Sequence, residues 1–97
     1  MRRYLVEVYL PRSRADEARA TRLRARAAAE ALAHEGLPIR YLRTTYLPDD
    51  ETCFHVFEAV SIDIVEEAGR RAALGPVRVM PAVETPNRRM SAHDRPQ

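Results

Sequence analysis

An α+β fold in the order strand, helix, strand, strand, helix, strand is what this sequence predicts. Three observations carry the expectation. Small and apolar residues recur at helical spacing in two segments, and each segment is flanked by stretches of alternating, β-favouring residues. Pro48-Asp49-Asp50 joins the two middle strands with turn chemistry alone. Gly36 and Gly75-Pro76 stand where helices are expected to stop.

Residues 3–10, RYLVEVYL, alternate, with Tyr4, Val6, Val8 and Leu10 forming a strongly apolar side, and Pro11 ends the strand. Ser13, followed three places on by Asp16, reads as the N-cap of a helix running to about Glu35. Ala18, Thr21, Ala25, Ala28 and Leu32 form its stripe of small residues, which lets a helix lie close on a sheet. Residues 39–47 make a second strand whose poor alternation suits a sheet edge. Residues 52–59 make the third. Ser61 caps a second helix, with Val60 and Val65 placed to staple it and Val65, Ala68 and Ala72 as its buried stripe. Residues 77–84 form the last strand, which Pro81 assigns to an edge. This order is the split βαβ, or ferredoxin-like, plan: an antiparallel four-stranded sheet with two helices on one face. Residues 1–84 make that domain, and residues 85–97 are expected to be a flexible tail or one ordered by a partner.

The totals narrow the classes of function. Ninety-seven residues, 45% of them hydrophobic, suffice for one compact core. A single cysteine excludes an internal disulfide and fits a reducing compartment. No apolar run reaches the roughly 20 residues of a membrane span, so a soluble, cytoplasmic protein without a membrane partner is expected. The net charge is +2, and all sixteen basic residues are arginines. Arg19, Arg22 and Arg26 share a stripe of the first helix, interleaved with Asp16, Glu17 and Glu30. They read as a solvated face; no aromatic platform accompanies them, and no nucleic-acid partner is expected.

The sheet's second face draws the functional expectations. Tyr4, Val6, Val8, Phe54, Val56, Val77 and Val79 are assigned beneath the helices. Leu5, Glu7, Tyr9, Cys53, His55, Phe57, Arg78 and Met80 are assigned to the open side. Covering its large apolar side chains is worth on the order of 6–12 kcal/mol. A homodimer through this face, a barrel-like α+β assembly with a cavity for a small molecule between its sheets, is therefore expected. Within that cavity Glu7, Cys53 and His55 suit a borderline divalent metal such as nickel, zinc or copper: a thiolate and an imidazole on one strand, a carboxylate on the next. Alternatively Glu7 and His55 act as acid–base groups of a cofactor-free monooxygenase, cyclase or isomerase, with Arg78 stabilising an anion. A third class is a non-catalytic, ligand-sensing dimer. The plain alternative makes Cys53 a small buried hydrophobe and His55 a satisfied core histidine.

Several pieces in order resemble a family of small bacterial ferredoxin-like, nickel-binding proteins. They are Val6-Glu7 with Leu10-Pro11, Tyr46-x-x-Asp49-Asp50-x-Thr52, Ile64-x-Glu66-x-Ala68, and Arg70-Arg71, covering residues 4–84. The resemblance implies the same fold, a dimer and a nickel-type ion. Members of the family often carry histidines at the places of Thr44 and Glu67, and a cysteine at that of Phe54.

Overall fold

The computed structural model describes residues 1–85. Strands β1 (Arg2–Tyr9), β2 (Ile39–Leu47), β3 (Thr52–Ala59) and β4 (Arg78–Ala82) form one sheet, and helices α1 (Glu17–His34) and α2 (Ile62–Arg71) connect them in the expected order. The strands lie β2-β3-β1-β4, every neighbouring pair antiparallel, so β2 and β4 are the edges. Pro81 therefore sits on an edge strand, where its missing N–H is tolerated. The tail expected to be flexible or partner-ordered lies, from residue 86 onward, outside the described residues.

Register decides which side chains meet. Across β1 and β3, Tyr4 faces Phe57, Val6 faces His55 and Val8 faces Cys53. Directly paired residues project to the same side of a sheet. Tyr4, Val6 and Val8 belong to the core that α1 and α2 cover, together with Ala25, Leu32, Val65 and Ala68. Cys53, His55 and Phe57 therefore lie beneath the helices, each fully buried. This corrects the expected faces of β3. Phe54 and Val56 project to the open side, opposite Glu7 and Leu5. The cause is that β3 is apolar on both faces, and a strand of that kind reads equally well after a one-residue slip. Val56 is buried, yet it stands outside the main core cluster, as a residue of the other face must.

Gly36 ends α1 and Ser61 begins α2 as expected, whereas the start of α1 and the end of α2 use other devices. Ser13 falls within a 3-10 turn, Arg12–Arg14, and Asp16 precedes α1; neither the turn nor α1 has a side-chain cap at its N-terminus. Ser61 does occupy the N-cap of α2, in extended backbone and without a capping bond, while Val60 is 55% exposed and Val65 fully buried, so the expected staple is open. At the end of α1 Gly36 takes a left-handed φ of 88°, and Leu37 N–H donates to the Leu32 carbonyl, a Schellman closure. The same closure ends α2 earlier than Gly75: Leu74 N–H donates to the Gly69 carbonyl, and the left-handed position falls on Ala73, φ 54°. An L-residue with a Cβ is strained there by roughly 1 kcal/mol. Ala73→Gly is therefore expected to raise the stability of the chain by about 0.5–1 kcal/mol in urea unfolding, while Ala73→Val lowers it.

Candidate functional site

Strand β2 carries a bulge between Tyr41 and Arg43. Leu42 is the extra residue, and it resets the alternation. Tyr41 and Thr44, three apart, would otherwise point to opposite faces; with the bulge both pair with helix-side residues, Phe57 and His55. The Tyr41 ring meets the Phe57 ring edge-on, with centroids 5.8 Å apart. Its hydroxyl lies 2.6 Å from Thr44 Oγ1, which in turn lies 2.7 Å from His55 Nδ1. On the far side of the ring, His55 Nε2 is 3.9 Å from Cys53 Sγ. Four side chains thus form one polar line, from the partly exposed Tyr41 to the buried thiol.

The line has two proton arrangements. Protons can run from Tyr41 through Thr44 to His55 Nδ1, leaving hydrogen on Nε2 facing the sulfur. Reversed, His55 Nδ1–H donates to Thr44 and the Nε2 lone pair faces the thiol. Either satisfies every group, and no buried side-chain nitrogen or oxygen among the described residues lacks a partner. Burial pushes the His55 pKa down to about 4, and the positive charge of nearby Arg24 adds to this. The ring is therefore neutral at pH 7. Arg24 is fixed by donating from Nε to the Ala72 carbonyl at the end of α2, 2.9 Å, and from Nη2 to Thr21 Oγ1, 3.0 Å. Burial pushes the Cys53 thiol upward, so the sulfur is protonated at rest.

The three expected metal donors are not brought together. Cys53 and His55 meet, but Glu7 lies on the open face, paired in the ladder with Phe54 and Arg78. Its carboxylate has only a loose contact with Arg78, Oε1 to Nη1 3.9 Å. Glu7 and His55 consequently cannot share a substrate within one chain. No third histidine, cysteine, aspartate or glutamate joins Cys53 and His55 among the described residues. Glu67, the other place where the resemblance implies a histidine, is held by Arg71 and Arg70, whose hydrogen bonds keep its carboxyl below the usual range. Sequence reasoning missed Tyr41 and Thr44; the broken alternation of β2 was the signal, since an inserted residue is one cause of it.

The open face itself has a centre and a rim. Leu5, Phe54 and Met80 stand partly exposed around buried Val56. Beside them Glu58 pairs with Arg3 and Arg40, and Glu84 with Arg3 and Arg43. No family model matches the chain, and neither the curated proteins nor the solved structures yield a match to it. Among the described residues no helix is long and apolar enough to cross a membrane.

Burial of His55 has a consequence for pH. In the unfolded chain an imidazole takes a proton near pH 6.5, whereas in the fold it resists protonation until about pH 4. The unfolded state binds more protons between these values, so stability is whole above about pH 6.5 and falls as the pH drops toward 4. The loss attributable to this ring is on the order of 3 kcal/mol. Denaturant melts from pH 7 to 4 are expected to show it. His55→Gln, although less stable at pH 7, is expected to flatten the curve by that amount, leaving only the contribution of the carboxylates.

Proposed function

We propose that the chain works as a homodimer closed through the open face of its sheet, and that Cys53 with His55 supplies the protein donors for a nickel-type divalent ion. The observation that carries the metal reading is the approach of Cys53 Sγ to His55 Nε2, 3.9 Å. Thiolate and imidazole donors on one tetrahedral ion stand about 3.6 Å apart, taking ordinary metal–sulfur and metal–nitrogen lengths. The pair is thus nearly at ligand spacing before any ion arrives. The neutral ring keeps a lone pair for the metal, and Thr44 Oγ1, accepting from Nδ1–H, would hold the tautomer that presents Nε2. The resemblance supports the place of the imidazole and not that of the thiol, since the family's cysteine falls at Phe54 on the open face. The family's histidine position falls at Thr44, and Thr44 is the direct cross-strand partner of His55. A histidine on either strand therefore puts an imidazole in one spot. Glu7 is no longer part of the ligand set. With two protein donors, water or another small ligand completes the coordination. Both donors are shielded from solvent, so loading requires local opening and releases the thiol proton.

The dimer reading rests on the exposed parts of Leu5, Phe54 and Met80, which a second copy would cover. In a two-fold dimer the loosely paired Glu7 and Arg78 of each copy can exchange partners across the interface. The gain is smaller than the sequence suggested, because Phe57 is already in the core.

Native mass spectrometry of the untagged chain with added nickel reads both parts. The wild type is expected to be a dimer taking up to one ion per chain, with uptake strengthening as the pH rises because a thiol must ionise. Cys53→Ser and His55→Ala lose the ion and Glu7→Gln keeps it; Phe54→Asp gives a monomer. Equal nickel uptake by the wild type and both ligand variants would remove the metal reading, and a wild type that stays monomeric would remove the dimer.

A further inference from the structure

The seam between α1 and the edge strand β2 holds two adjoining hollows, about 290 and 400 Å³, that share Arg26 and Tyr41. Arginine dominates the polar lining: Arg22 and Arg26 come from α1, Arg40 and Arg43 from β2. One carboxylate, Glu30, faces them, and it is occupied by Arg26 at 3.0 Å. Arg40 and Arg43 reach the edge carboxylates Glu58 and Glu84. Arg22 is half-buried and pairs with no carboxylate among the described residues. Apolar surface continues between these charges, from Ala29, Ala33, Ile39 and Leu42. The floor includes Tyr41 and Thr44, the outer end of the polar line to His55.

We infer that this seam is a binding site for a small organic anion, its carboxylate or phosphate gripped by Arg22 and Arg26 and its apolar body laid against Tyr41 and Leu42. Arg22 has no carboxylate partner among the described residues, and Glu30, the one carboxylate of the lining, holds Arg26 by an exposed ion pair that an incoming anion can replace; together these set the sign of the ligand. The planar fork of arginine matches a carboxylate or phosphate with two parallel bonds. The combined volume is that of a small-molecule site. A guest that hydrogen-bonds the Tyr41 hydroxyl would choose between the two proton arrangements of the line, and so fix which ring nitrogen of His55 carries hydrogen. The seam therefore couples surface binding to the buried imidazole. It lies on the helix layer and its edge, apart from the open sheet face, so it stands or falls independently of the dimer.

The test is titration of the full chain with inorganic phosphate, acetate and benzoate at constant ionic strength. The readouts are the backbone amides of residues 41–44 and the His55 ring nitrogens by NMR. Saturable shifts at millimolar concentration are expected, with benzoate tighter than acetate because the seam has an apolar floor. Arg22→Gln is expected to weaken binding about tenfold, the loss of roughly 1.4 kcal/mol. Arg19→Gln, an equal loss of charge on the exposed part of α1, is expected to leave it unchanged. Thr44→Val is expected to keep the amide shifts and silence those of the His55 ring. Shifts that never saturate, or equal weakening by Arg19→Gln and Arg22→Gln, would mean diffuse attraction of anions and overturn the site. Benzoate no tighter than acetate would overturn the organic ligand. A His55 response that survives Thr44→Val would overturn the coupling.

Discussion

Tyr4, Val6 and Val8 meet Phe57, His55 and Cys53 across the central strand pair, and this register fixes the place of every group on β3. Shifting it by one residue would send the imidazole and the thiol to the open face and bring Phe54 under the helices. The actual choice fits packing. Phe57 is fully buried and meets Tyr41 edge-on, so the core gains its largest fully buried side chain where α1 supplies Thr21, three alanines and Leu32. Small residues on the helix and a large one on the sheet fill one layer of core. His55 enters that core with its row, between Val6 and Thr44, and must be satisfied there.

Its satisfaction comes from the bulge in β2. Leu42 is the extra residue that lets Thr44 and Tyr41 share the helix side, and their two hydroxyls supply His55 with the polar neighbour that a buried ring needs. Burial then sets the chemistry: a neutral imidazole and a protonated thiol side by side, a state in which the sulfur becomes a metal donor only by giving up a proton. The same bulge shapes the seam beside α1, because Leu42 and Thr44 both line it. One inserted residue therefore links packing, the Cys53–His55 contact and the surface hollow.

The element order was legible because its signals are local. Pro48-Asp49-Asp50 needs no partner to make a turn, and Gly36 supplies the left-handed residue that ends α1. The apolar side of β1 was equally plain, since Tyr4, Val6 and Val8 alternate with Arg3 and Glu7. Strand β3 was not, because Cys53, His55 and Phe57 are no more apolar as a set than Phe54 and Val56. Pairing with β1 decides the matter, and that is a long-range contact. Ala73 was invisible for a related reason: the closure of α2 depends on where Leu74 packs, and the left-handed position simply falls three residues before Pro76. Cys53 and His55 could be picked out as neighbours from their spacing of two, whereas Glu7 was placed with them only through the mistaken face.

The reactivity of the Cys53 thiol tests the register most directly. Phe54→Asp is the suitable background, because it solvates the open face and removes any cover that a second copy would give. In that folded chain Ellman's reagent is expected to leave Cys53 untouched until denaturant is added, the rate then following the opening of the core. Rapid, stoichiometric reaction of the folded Phe54→Asp chain would put the thiol on the open face and contradict the placement of β3 on which the proposed donor pair depends.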